Sequence, residues 1–204
     1  YIKKVNIYEM FCGAGIYDDG KEGSAVRAFN KIQEIKVNGS CKDTEITLTL
    51  NDLDKNKLSI VREYVKKHEQ LFETRFSNKD ANELIELLID GFSTQSNSVR
   101  NLVFIDPYGY KFINKELILK LLQNDRTELI IFIPINQMFR FLTKVEENKI
   151  DNSYLPLKKF IEQFNNENKP INMAIDHYLN KFIHTNSLKA FIGEPQLACQ
   201  GSIN

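Results

Sequence analysis

Four acidic residues stand just behind apolar segments of this chain: Glu9, Asp52, Asp80 and Asp106. Carboxylates in such places accept hydrogens from hydroxyls and amines and attract positive charge. They do not suit phosphates, which want bare backbone amides or cations. Between the first two lies Phe11-Cys12-Gly13-Ala14-Gly15, where Gly13 and Gly15 let the backbone turn tightly and approach a ligand without a Cβ in the way. The Lys-Ser/Thr of a P-loop is missing, so triphosphate hydrolysis is not indicated. Asp106-Pro107-Tyr108 offers a carboxylate, a proline-fixed carbonyl and an aromatic face. That set can receive an exocyclic amine, stack its ring and aim the nitrogen lone pair at an electrophile, which is catalysis by orientation.

These residues need a scaffold that brings them together, and the apolar pattern supplies one. Val5–Phe11 reads as a strand, followed by a polar loop and a helix over Ser24–Ile35. Glu45–Leu50 alternates as a half-buried strand, and Leu58, Val61, Val65 and His68 follow at helical spacing over four turns. Leu71–Phe76 is a short strand. Asp80–Ile89 is a helix, with Asp80 and Glu83 spaced as a capping box that explains Asp80 without any ligand. Asp54 is better placed than Asp52 to cap the helix before it. After the polar stretch from Ser93 to Ser98, Leu102–Ile105 is a continuous apolar run, as in a strand covered on both faces. Asn114–Leu122 is a helix and Leu129–Ile133 another buried strand; Gln137–Glu147, Leu157–Phe164 and Ile171–Phe182 are helix-like.

Five strand–helix units imply an α/β fold with a parallel sheet, because parallel neighbours need helical crossovers. We expect a doubly wound Rossmann-like sheet with helices on both faces over residues 1–150, and a mostly helical C-terminal extension of the same domain over 151–204. In such a sheet ligands bind beyond the carboxyl ends of the strands, where the acids and glycines above all fall. Asp52 then occupies the position that holds ribose hydroxyls.

Composition narrows the functional classes. The 204 residues carry 27 basic and 27 acidic side chains, and 42% are hydrophobic. That excludes wholesale disorder, and the absence of a basic excess disfavours a grip on nucleic acid through phosphates alone. Three cysteines at wide spacing (Cys12, Cys41, Cys199) point to a reducing cytoplasm rather than a disulfide framework. The longest apolar run, Leu129–Ile135, falls far short of the roughly 20 residues of a membrane helix. No leader pattern opens the chain, which begins with Tyr1 and moves almost directly into an apolar segment; we expect it to continue upstream. His177 and His184 share a helical face without a third ligand nearby, so no metal site is expected.

Together these features resemble a class I S-adenosylmethionine-dependent methyltransferase, and more closely the three-Cys-motif partner family. That family's glycine segment, F-x-G-x-G-x-Y-x-D-G-x-x-G-S, is matched by Phe11 through Ser24. Its Asp-Pro-Phe/Tyr-Gly-Tyr segment is matched by Asp106–Tyr110, and Asn78–Asn82 is similar to its third motif. The resemblance implies S-adenosylmethionine as cofactor. Glu9, Gly13 and Gly15 would meet its amino acid end, with Phe11 opening the motif. Asp52 would hold the ribose and Leu53 the adenine, while Asp80 would accept from the adenine amine beside Ala81. Asp106, Pro107 and Tyr108 would position the acceptor, an amine nitrogen of a nucleic-acid base. The Pro-Cys nucleophile of cytosine-C5 enzymes is missing after the fourth strand, and Cys12 reads as a packing residue.

The resemblance also implies a three-Cys-motif protein as partner. This favours a second reading, a non-catalytic module that docks another protein. Methyltransferases of this class end their sheet with an antiparallel hairpin, whereas after Ile135 only Lys189–Ile192 is strand-like. A dinucleotide or nucleotide-sugar binder is a third option, but it lacks the third glycine of G-x-G-x-x-G, since position 18 is Asp.

Overall fold

The computed structural model describes residues 1–39, 41–107 and 114–132. The chain divides into one unit over Tyr1–Phe141 and another over Leu142–Asn204; all described residues belong to the first. The expected helices and strand beyond Ile133, His177, His184, Cys199 and Tyr108–Tyr110 lie outside the described residues.

Strands and helices alternate: β1 (Lys4–Glu9), α1 (Ser24–Val37), β2 (Glu45–Asn51), α2 (Lys55–Lys66), β3 (Glu73–Ser77), α3 (Ala81–Ser93), β4 (Val99–Ile105), α4 (Lys115–Leu122) and β5 (Thr127–Ile131). The five strands form one sheet in the order β3-β2-β1-β4-β5, every pair parallel. The order reverses at β1, because the chain leaves β3 and returns on the far side as β4.

Two apolar clusters hold the layers. Val26, Phe29 and Ile32 of α1 and Leu58, Val61 and Val65 of α2 pack with Ile46, Leu48 and Leu50 of β2. Leu84, Ile85 and Phe92 of α3 and Leu117, Ile118 and Leu121 of α4 pack with Val103 and Ile105 of β4. Along β1, Ile7 joins the first cluster and its neighbour Tyr8 the second. Successive strand residues point to opposite faces, so the two helix pairs cover opposite faces of the sheet.

Helix starts follow the side chains present. Asp54 accepts from the Asn56 and Lys57 N–H groups, and Asn114 from Glu116 N–H at 2.9 Å, satisfying otherwise orphaned donors. At the far end of α1, Gly39 takes φ 73°, the left-handed turn that commonly follows a helix.

Several elements differ from the sequence pattern. β2 is not half-buried: Thr47 and Thr49 are buried as well as its apolar residues. It is an inner strand, and threonines fit there because they are β-branched and small, with Thr47 Oγ1 donating to Glu73 Oε2 at 3.2 Å. α2 stops two residues short of His68, to which its periodicity extends. His68 lies beyond it, exposed, with its ring stacked on Tyr64 at 4.3 Å. Asp80 caps α3 through Asn82 N–H at 2.8 Å, one residue short of the contact that defines a capping box. β5 is not buried throughout: Ile130 is 51% exposed and Phe132, just after it, 57%, since β5 ends the described sheet and pairs there only with β4.

Candidate functional site

A parallel sheet carries all its carboxyl ends to one rim, and here that rim is built around β1. Glu9, its last residue, stands opposite Leu50 of β2 and Phe104 of β4. Beyond it the chain keeps both neighbours. Met10 N–H donates to Phe104 O at 3.0 Å, and Cys12 N–H to Asn51 O at 2.9 Å. The glycine turn is thereby anchored between the ends of β2 and β4.

The turn meets the next acid directly. Gly13 N–H donates to Asp52 Oδ2 at 2.9 Å, while Asp52 Oδ1 accepts from Asp54 N–H at 2.8 Å. A carboxylate offers about four acceptor positions, so two protein donors leave room for ligand hydroxyls. Gly13 has φ +59° and a Cβ built on it would meet nothing within 4 Å. Among the described residues nothing covers that side of the turn.

Gly15 is different. Its φ is +76°, and a Cβ there would lie 2.8 Å from Val61 Cγ2 and 2.9 Å from Val26 Cγ2. Its missing side chain serves the packing of α1 and α2 under the turn. Phe11 packs against the α3–α4 cluster, and Ala81 is buried within it, so neither stands open at the rim. Leu53 does, at 68% exposure.

Glu9 is buried, yet it ends at this rim. Ser24 Oγ, the first residue of α1, donates to its Oε1. Burial pushes the Glu9 carboxyl up to about 7; the Ser24 bond opposes this, and the charge of Asp106 adds to it. Asp106 is itself raised by partial burial of its carboxyl, although the residue as a whole is exposed. Glu9 and Asp106 thus sense each other across the β1–β4 junction, with Pro107 buried behind Asp106. Cys12 is pushed well above the ordinary thiol range by burial and by the charges of Asp52 and Glu9. It stays protonated at neutral pH and is no nucleophile.

Asp80 reaches the same rim from the β3–α3 loop, which a side chain at the end of β2 holds in place. Asn51, the buried last residue of β2, donates to Met10 O and Lys79 O, both at 3.0 Å, and accepts from Lys79 N–H at 3.1 Å. Asn78 Nδ2 donates to the carbonyls of Asp52 and Leu53 at 2.8 and 2.9 Å. Ser24, Asn51 and Asn78 fix the loops that carry the acids. Ser24 and Asn78 fall inside the motif-like stretches of the sequence, whereas the signal for Asn51 is its position, a small polar residue at a strand end beside an acid.

Glu9, Gly13, Asp52, Asp80 and Asp106 therefore lie along the carboxyl-end edge of one sheet, with Gly13 and Asp52 in direct contact. Among the described residues, no three His, Cys, Asp or Glu side chains converge as metal ligands, and no helix is long and apolar enough to cross a membrane. No family model matches the chain, and no curated protein matches it.

Proposed function

We propose that this chain is a doubly wound, Rossmann-like methyltransferase domain of the three-Cys-motif partner type, binding S-adenosylmethionine and methylating an amine nitrogen of a nucleic-acid base. The observation that supports it most is the Gly13–Asp52 hydrogen bond beneath an open glycine face. It sets a close-approach backbone and a ribose-type carboxylate side by side where the strand order reverses.

The residues fit the cofactor. Glu9 carries a carboxyl poised near neutrality, which a cationic amino acid end would draw into its ionised form. Asp52 retains acceptor capacity for hydroxyls, and exposed Leu53 gives an apolar platform for a purine. When bound, S-adenosylmethionine supplies an electrophilic methyl group on sulfur. Asp106 holds the acceptor amine by its hydrogens, and its raised affinity for protons lets it take the one released as the nitrogen is alkylated. The main contribution of Asp106 and Pro107 is orientation, holding the lone pair on the line of transfer.

Isothermal calorimetry with S-adenosylmethionine and its demethylated product S-adenosylhomocysteine tests the reading. We expect heat from both, and for Asp106→Ala unchanged product affinity with loss of transfer. Heat from neither ligand would defeat it. The docking-module reading would then take its place, favoured by the net charge of zero and by an Asp52 already holding two backbone donors.

A further inference from the structure

Glu9 ends the central strand of the sheet and is only 3% exposed. Apolar residues stand across from it on both sides, Leu50 of β2 and Phe104 of β4. Its one hydrogen-bond donor among the described residues is Ser24 Oγ, at Oε1. That hydroxyl is held by the glycine turn itself. Gly23 N–H donates to Gly15 O at 2.7 Å, and a Cβ on Gly23 would sit 3.2 Å from the same carbonyl. The start of α1 is thereby pinned beside the end of β1.

No cation answers this carboxyl. Among the described residues none of the ion pairs includes Glu9. The titratable groups nearest to it are themselves acids. Asp106 acts on it from beyond β4, and it acts in turn on the Cys12 thiol of the turn, as does Asp52 from beyond β2. Its neighbour Tyr8 on β1 packs with Phe92 in the opposite cluster, and α1 contributes the neutral Ser24. A buried carboxylate without a cation is costly to keep charged. In the unliganded protein a proton neutralises it instead.

We propose that Glu9 is a proton-exchange site with Ser24 as its positioning residue, an inference that rests on the methyltransferase reading above. The ammonium group of the bound cofactor replaces a proton on the buried carboxyl, so occupancy of the rim depends on pH. The proton leaves to solvent, and the carboxylate gains the ion pair that the described residues do not supply.

The free carboxyl stands at about 7. Binding below that value must first remove the proton, so affinity falls as pH falls and levels off above it. Ser24 favours the ionised form, and without its hydroxyl the exchange moves to higher pH.

Calorimetry in two buffers of unlike ionisation enthalpy counts the protons that leave. The probes are S-adenosylhomocysteine and 5′-methylthioadenosine, which keeps the thioether nucleoside but lacks the amino acid end. At pH 6 we expect about one proton released per S-adenosylhomocysteine bound and about none per 5′-methylthioadenosine. Affinity for S-adenosylhomocysteine should be about tenfold higher at pH 8 than at pH 6. Glu9→Gln should release no proton and lose this dependence, which separates Glu9 from Asp106. Ser24→Ala should move the midpoint of the affinity profile upward, and Ser24→Thr, which keeps a hydroxyl, should restore it.

S-adenosylhomocysteine bound without proton release, equal release by both probes, or release persisting in Glu9→Gln would each overturn the exchange. An unmoved midpoint in Ser24→Ala would overturn the role of Ser24. The comparison of the two probes on the parent protein stands independently of any variant. Heat from neither probe would defeat the methyltransferase reading, and the exchange with it.

Discussion

The Asn51 side chain and the Lys79 backbone bond each other twice, with Nδ2 donating to the Lys79 carbonyl at 3.0 Å and Oδ1 accepting from its N–H at 3.1 Å. A third bond from Nδ2 reaches Met10 O. One buried amide thus ties the ends of β1 and β2 to the loop that leads into α3. Asn51→Ala leaves all three backbone groups without this partner and should cost roughly 3 kcal/mol, since orphaned buried groups forfeit their solvation. Urea unfolding measures it. Asn51→Asp should not rescue, because its carboxylate can accept from Lys79 N–H but offers nothing to the two carbonyls.

Glu9 makes the fold's stability depend on pH. Its carboxyl is raised from 4.5 to about 7, chiefly by burial, so between those values the folded state binds more protons than the unfolded one. The stability contributed by this group is complete below pH 4.5 and is lost as pH rises toward 7. The loss is on the order of 3 kcal/mol. Glu9→Gln keeps an acceptor for Ser24 and cannot ionise, so its denaturation midpoints should be flatter across that window. Equal slopes for parent and variant would contradict the assignment.

The two turn glycines should separate by assay. Gly15→Ala drives a Cβ into Val61 and Val26 at a φ of +76°. Left-handed strain and overpacking together should cost roughly 3 kcal/mol in thermal or chemical unfolding. Gly13→Ala meets open space and bears only the strain of φ +59°, about 1 kcal/mol. Its new methyl group points where a ligand would approach, so S-adenosylhomocysteine affinity should fall by more than stability does.

Neighbouring acids should divide in the same way. Asp54 caps α2, and Asp54→Ala should cost about 1 kcal/mol of stability with ligand affinity unchanged. Asp52→Ala removes the acceptor for Gly13 and Asp54 N–H groups. It should weaken S-adenosylhomocysteine binding by roughly 1–3 kcal/mol in calorimetry.

Much of the scaffold was legible before any coordinates. The helix read over Ser24–Ile35 matches α1, and Asp54 announces the helix it caps. Boundaries were less readable. Leu71 and Phe72 look like the start of a strand, yet pairing with β2 begins at Glu73. His68 fits the helical period but lies outside the helix, because periodicity reports which side a residue would face and not where hydrogen bonding stops.

What the sequence determined by itself was local: the alternation of strands and helices, hence parallel pairing, and hence one rim on which strand-end acids gather. The tertiary structure alone decided which residues at that rim touch. Ser24 meets Glu9 across 15 residues of chain, Lys79 meets Asn51 across 28 and Gly13 meets Asp52 across 39. Two glycines identical in a motif part company for the same reason, one over open space and the other against Val26 and Val61. Periodicity and capping act within a few residues, whereas these contacts depend on the strand order and on how far each helix sits from the sheet.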